Sequence, residues 1–186
     1  MPIAVAGLVR AFHGDRLSCK VLSVKPILSI IWHSRTGAAK ALAQAMQQSA
    51  SDYLVDVRCI AAELATADNL IQSNGVIFCA PENLASLSGV MKDFFDRSYY
   101  LALDRCNGKA YAQVISAGSD GTGAARQLLR IATGLRLRAI AEPLIVLVHA
   151  QSTADILAMK SLSTAQTAPA IELAAGFAAG LEMGIY

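Results

Sequence analysis

The stretch Ile27–Ala39, I-L-S-I-I-W-H-S-R-T-G-A-A, reads as a buried strand that passes through a short polar loop into a helix. Ile27, Leu28, Ile30, Ile31 and Trp32 make an apolar run broken only by Ser29. From Ala38 onward the apolar residues fall at Ala39, Leu42, Ala43, Met46 and Ala50, the spacing of one helical face. Between strand and helix lie Ser34, Arg35, Thr36 and Gly37. A helix start carries unpaired N–H groups and the positive end of the helix dipole, so it favours an anion. Gly37 lets the backbone come close to a ligand. The simplest ligand for Ser34–Ala39 is a phosphate monoester. The same residues have plainer uses: Ser34 or Thr36 as a helix cap, Arg35 as a solvated charge. Placement after the first core strand favours the ligand, because open α/β sheets bind at the carboxyl ends of their strands.

The rest of the chain repeats the alternation. Tyr53–Cys59 is strand-like, residues 62–72 are helical, and Gly75–Ala80, G-V-I-F-C-A, has the continuous apolarity of a strand buried on both faces. A helix is expected over Leu87–Tyr99, a turn at Asn107-Gly108, a strand at Tyr111–Ser116 and a helix at Ala124–Leu135. Leu144–Val148 is the fifth strand, opened by Pro143, and a last helix is expected to start near Pro169. Such alternation predicts an α/β three-layer sandwich, a parallel sheet with helices on both faces. Five strands suit the order 2-1-3-4-5, with a ligand at the switch between strands one and three.

Composition narrows the function. The 186 residues suit one domain, and 54% are hydrophobic against 16% charged, which excludes disorder and predicts burial by self-association. Residues 1–26 hold Arg10, Arg16, Lys20 and Lys25 against Asp15, net +3, which leaves −1 of the chain's +2 for the remainder. A near-neutral remainder argues against nucleic acid as a partner. Residues 1–26 read as a poorly ordered N-terminal extension or the product of an upstream start codon, with a targeting role as the rival; residues 27–186 read as the domain. Cys19, Cys59, Cys79 and Cys106 form no C-x-x-C pair, and His13, His33 and His149 are scattered, so neither a disulfide frame nor a metal site is expected. The thiols point to the cytoplasm. No integral membrane segment is expected, since Glu172 and Glu182 interrupt the best candidate, Pro169–Tyr186.

In the predicted topology, three loops share one rim: Ser34–Ala39, Pro81–Gly89 and Ser116–Gly123. The second brings Asn83, Ser86 and Ser88 beside Leu84; the third, S-A-G-S-D-G-T-G, is small and polar. One loop suits a phosphate and two suit the edges of a flat heteroaromatic ring. Ser86 or Ser88 as a helix cap, and the third loop as a plain glycine turn, remain open alternatives.

These landmarks resemble the flavodoxin-like, FMN-binding NAD(P)H-dependent oxidoreductases. The resemblance runs over roughly Ile27 to Tyr186. It rests on Ser34-Arg35-Thr36-Gly37, on Pro81-Glu82-Asn83-Leu84 continued through Ser88-Gly89 and Met91–Arg97, and on Ala117-Gly118-Ser119-Asp120-Gly121. It implies a flavodoxin-like fold with FMN as cofactor and NAD(P)H as co-substrate. Ser34, Arg35, Thr36, Gly37, Ala38 and Ala39 would hold the phosphate. Pro81, Glu82, Asn83, Leu84 and Ser86, with Ser116, Ala117, Gly118, Ser119 and Gly121, would flank the ring. The chain departs from flavodoxins at Ala38-Ala39, where a polar pair is common, and in lacking a clear stacking aromatic in the second loop. Arg35 would compensate for the first, and Leu84 with backbone for the second. The flavin carries the redox chemistry, so no catalytic side chain is assigned.

Rival folds of this outline fail on particular residues. A phosphorelay receiver needs an acidic pair after strand one, where His33-Ser34 stand. A small tyrosine phosphatase needs a cysteine in the first loop. A dinucleotide fingerprint belongs after strand one, whereas its nearest imitation, Gly121–Arg126, follows strand four and lacks the third glycine. Two functions remain: an enzyme passing electrons from NAD(P)H through FMN to a quinone or similar small acceptor, and a flavodoxin-type FMN carrier. A fold that has lost its cofactor is third. Carriers tend to be strongly acidic, so the near-neutral charge favours the enzyme. The apolar residues Phe94, Phe95, Tyr99, Tyr100, Leu101 and Leu103 lie too close together for one helix face to bury, which predicts a homodimer or homotetramer.

Overall fold

Strand β3 shows why the sequence forms a sheet with two covered faces. Along Gly75–Asn83, Val76, Phe78 and Ala80 enter one apolar layer while Ile77 and Cys79 enter the other. Successive side chains on a strand point to opposite faces, so a run with no polar interruption requires helices on both. The computed structural model describes residues 24–186, and residues 1–23 lie outside it, with most of the expected N-terminal extension.

The elements are β1 (Ile27–Trp32), α1 (Ala38–Ala50), β2 (Asp56–Ala61), α2 (Ala67–Gln72), β3, β4 (Ser86–Leu87), α3 (Gly89–Ala102), β5 (Ala110–Ala117), α4 (Thr122–Gly134), β6 (Arg138–Ala139), β7 (Leu144–Leu147), α5 (Thr153–Leu157) and α6 (Thr164–Glu182). The sheet runs β2-β1-β3-β5, with β6 and β7 sharing the place beside β5. All these pairings are parallel. The principal order is therefore the expected 2-1-3-4-5 of a flavodoxin-like sandwich. One face packs on α2, α3 and α4, with Phe78, Phe94, Phe95 and Leu128 at its centre. The other packs on α1 and α6, around Leu42, Met46, Ile77 and Phe177.

Two short strands enlarge the simple pattern. β4 folds back antiparallel on the end of β3, pairing Glu82 with Leu87 and Asn83 with Ser86. The edge strand is split because Arg138–Ala139 pair with Ala110–Tyr111 while Leu144–Leu147 pair with Val114–Ala117. Residues 140–143 thus stand opposite only residues 112–113, a bulge that ends at Pro143, which has no N–H for the ladder.

Helix boundaries moved where side chains cap. α6 starts at Thr164, not near Pro169, because Ser163 and Gln166 form a reciprocal capping box, with Gln166 N–H donating to Ser163 Oγ at 3.3 Å. Pro169 sits inside the helix, on an exposed position of its second turn. α2 begins at Ala67, several residues later than its apolar pattern suggested, because Thr66 and Asn69 form another such box. No described helix is long and apolar enough to cross a membrane.

Candidate cofactor site

The loops after β1, β3 and β5 meet around a cleft of about 570 Å³, a size ordinary for a small-molecule site. From the first loop, Arg35, Thr36 and Ala38 line it. Ser34 lies behind them, its Oγ accepting the Gly37 N–H at 3.1 Å. Ala39 is fully buried in the core. Gly37 is the residue before α1, with φ +94°, and no side chain caps the helix. Neither Ser34 nor Thr36 is therefore a helix cap, and the start of α1 stays open to an anion.

The second loop is a hairpin. Leu84 and Ala85, with φ +52° and +56°, form its tip, and Leu84 is fully exposed. Two consecutive positive φ values mark the turn type that usually takes Asn-Gly. Side chains with a Cβ are strained there by about 1 kcal/mol or more each. Pro81, Glu82, Asn83, Leu84 and Ala85 line the cleft. Ser86 does not; its Oγ donates to Gln127 Oε1 at 2.6 Å, and the Leu87 N–H donates to the same oxygen at 2.8 Å. Ser88 is buried, its Oγ 3.0 Å from His33 Nδ1.

Glu82 has a role that the sequence did not announce. Its carboxylate accepts the N–H groups of Gly121 at 2.8 Å, Gly123 at 3.1 Å and Ala124 at 3.2 Å. These are the open donors at the start of α4, so that helix end already holds an anion from its own chain. The third loop contributes Ser116, Ala117, Gly118 and Ser119 to the cleft. Gly121 stands outside it, at φ +87°, where a Cβ would come within 2.6 Å of Ile145 Cγ2.

A fourth wall was missed by the sequence reading. Val148, Ala150, Ile156, Leu157 and Lys160 come from the segment after β7 and also line the cleft. The Lys160 N–H donates to the Thr36 carbonyl at 2.7 Å. A Cβ on Gly37 would meet Met159 Cε at 3.1 Å and Lys160 O at 3.6 Å. The close approach that Gly37 permits is thus partly to this strap of the chain itself. The Lys160 ammonium donates to the carbonyls of Ala158 at 2.6 Å, Ile156 at 3.3 Å and Asp155, closing off the end of α5. The signal for α5 was present as Ser152-x-x-Asp155, whose Ser152 Oγ accepts the Asp155 N–H at 3.1 Å. The Ser152 hydroxyl and N–H, bonded to Asp155, hold its carboxyl below the usual carboxylate range.

Beneath the first loop, His33 Nε2 lies 3.8 Å from Glu63. Burial pushes the His33 imidazole below its ordinary value, Glu63 opposes that shift and Arg35 adds to it. His33 is therefore a neutral root for the loop. The charges at the cleft itself are cationic, Arg35 and Lys160, since the Glu82 charge is taken up by α4. The open helix start flanked by Arg35 and Thr36 has the donors and charge to take a phosphate, and the hairpin and the third loop line the rest of the cleft.

Residues 61–152 match the family NADPH-dependent FMN reductase. That span holds the hairpin and the third loop but not Ser34–Ala39. No curated protein matches the chain. Among solved structures, an archaeal flavodoxin superposes with TM-score 0.68 at 15% identity, covering 84% of this chain and 99% of that one. The flavodoxin, WrbA-like protein of Agrobacterium tumefaciens superposes at 0.63 with 17% identity, covering 86% and 99%. Rubredoxin oxygen:oxidoreductase of Desulfovibrio gigas gives 0.68 at 15% identity over 87% of this chain, which spans 38% of that longer one. Identities this low establish the fold alone. Fold and family match together make the chain flavodoxin-like in fold, with residues 61–152 similar to the NADPH-dependent FMN reductases.

Proposed function

We propose that the cleft binds FMN and that the protein passes electrons from NAD(P)H to a quinone or similar small acceptor. The observation that carries this reading is the contrast between two helix starts on one rim. That of α4 is filled by Glu82, whereas that of α1 has no side-chain cap and stands beside Arg35 and Thr36. One open anion site suits the single phosphate of FMN better than the two of FAD. Ser34, Arg35, Thr36, Gly37, Ala38 and Ala39 form the phosphate loop, with Ala38 and Ala39 acting through backbone N–H groups. Residues of the hairpin and Ser116–Ser119 border the ring. Bound FMN supplies the hydride and electron chemistry; the protein orients it and shields it from water. The three described cysteines are free, which suits a cytoplasmic protein.

Titration with FMN, riboflavin and FAD tests the phosphate assignment. Each charge-assisted hydrogen bond to phosphate contributes about 1.5–3 kcal/mol, so riboflavin should bind weaker than FMN by orders of magnitude. Arg35→Ala and Thr36→Ala should each weaken FMN binding, the first with a reduced salt dependence. Equal affinity for riboflavin overturns the assignment. The carrier reading draws on the superposition with the archaeal flavodoxin. Anaerobic mixing of FMN-loaded protein with NADH or NADPH separates the two, since a carrier leaves the flavin oxidised.

A further inference from the structure

Lys160 is fastened to the loop after β1 by its backbone but not by its side chain. Its N–H donates to the Thr36 carbonyl at 2.7 Å, and a Cβ on Gly37 would lie 3.8 Å from the same nitrogen. The residue therefore stands beside the first turn of α1. Residues 151–159 are all exposed, whereas Lys160 is half-buried and lines the cleft. Its ammonium turns away from the loop, to the carbonyls of Asp155, Ile156 and Ala158 at the end of α5. No carboxylate forms an ion pair with it among the described residues. The Asp155 carboxylate, on the same strap, is engaged by the N–H and hydroxyl of Ser152.

The charge balance of the cleft calls for this cation. A phosphate monoester carries a charge of about −1.5 to −2 near neutral pH. Among the described residues lining the cleft, Arg35 and Lys160 are the cations, and the one carboxylate, Glu82, is bound to the start of α4. Lys40, in the first turn of α1, is directed to the Trp32 ring, 6.0 Å from its centroid. Ala38 and Ala39 bring no side-chain donor. Arg35 by itself would leave such an anion half neutralised. Carbonyls at an exposed helix end are partners that water can replace, whereas ammonium and phosphate attract as full charges. The flexible four-carbon stem of a lysine lets the ammonium swing while the backbone stays on Thr36. We infer that Lys160 is a second cationic ligand of the FMN phosphate, and that its ammonium exchanges the α5 carbonyls for the phosphate when FMN binds. This rests on reading the cleft as the flavin site. It gives the strap after β7 a part in holding the cofactor, beyond forming a wall.

Calorimetric titration of the full-length protein with FMN and with riboflavin tests this without any turnover. Riboflavin lacks the phosphate, so it reports the strap as a wall alone. Lys160→Gln should weaken FMN binding by about tenfold or more and leave riboflavin within about twofold, so that the ratio of the two affinities falls. The salt dependence of FMN binding should fall in the same variant. Lys160→Arg, which keeps the charge, should restore FMN affinity to within about threefold of the parent. Lys160→Met keeps the apolar stem and should behave as Lys160→Gln does, which secures the comparison if the amide disturbs the strap. Ser152→Ala, which loosens α5 and leaves the ammonium in place, should change both affinities by the same factor. FMN and riboflavin weakened alike by Lys160→Gln and Lys160→Met would overturn the inference, by reducing Lys160 to a part of the wall. Unchanged FMN affinity in both variants would overturn it too, by leaving the ammonium on α5. Failure of the cleft reading is distinct, because it appears in the parent protein, as no FMN binding or as equal affinity for FMN and riboflavin.

Discussion

Gly37 meets two demands at once. Its φ of +94° is a conformation that side chains rarely adopt, and Met159 and Lys160 close the space beside its Cα. Gly37→Val should lower the unfolding free energy by about 2 kcal/mol or more and reduce FMN stoichiometry, as denaturation and absorbance titration would show. Wild-type flavin content in that variant would mean that the loop is not the phosphate site. His33 gives a pH dependence. Burial, its largest influence, lowers its folded pKa from the ordinary 6.5, so the unfolded chain binds the extra proton. The stability it contributes is complete above pH 6.5 and is lost as pH falls through the lower folded value. A plot of unfolding free energy against pH should therefore fall below pH 6.5, and His33→Gln should flatten that fall. An unchanged slope in His33→Gln would assign the acid sensitivity elsewhere.

At the scale of elements, two helix ends carry the argument. α4 is capped from another loop by Glu82, through three backbone donors. Glu82→Gln removes the charge while keeping one acceptor oxygen, and should reduce stability by about 1–2 kcal/mol at neutral pH, measured by urea unfolding. A variant as stable as the parent would show that the cap is no more than a contact. α5 is the opposite case, five residues held by Ser152 at one end and by the Lys160 ammonium at the other. None of its residues is buried. Ser152→Ala should destabilise it by about 1 kcal/mol. Amide exchange across residues 153–160 should then quicken, and FMN should dissociate faster because this strap forms one wall of the cleft. Unaltered exchange would contradict the capping role. Pattern reading located α4 from its apolar stripe but could not show α5, which is too short for a period and buries no face.

At the scale of the molecule, the apolar cluster on α3 divides. Phe94 and Phe95 are buried against Phe78, whereas Tyr100 and Leu101 are 84% and 63% exposed with Tyr99 beside them. We propose that a second copy of the chain covers Tyr99–Leu101. Sedimentation at micromolar concentration should show a dimer or tetramer, and Tyr100→Glu/Leu101→Lys should shift it to monomer with an unchanged melting profile for the fold itself. A monomeric parent would refute this.

Five strands, the main helices and the loop rim were legible in the sequence alone. Strand and helix periods depend on neighbours within a few residues, and alternation of the two commits the chain to a parallel sheet with its loops at the carboxyl edge. That made the cleft on the rim legible in outline: eleven of the sixteen residues singled out line it, and Ser34, Gly37, Ala39, Ser86 and Gly121 do not. Tertiary structure decided the division of labour among them. Glu82 turns to α4, Ser86 to Gln127, and Lys160 reaches the loop at Thr36 from the far end of the chain. The split edge strand and the meeting of Lys92 with Arg126 and Arg130 around one groove arise in the same way. Each of these joins residues far apart in the chain, brought together only when both faces of the sheet are covered, and no local period or motif records such a meeting.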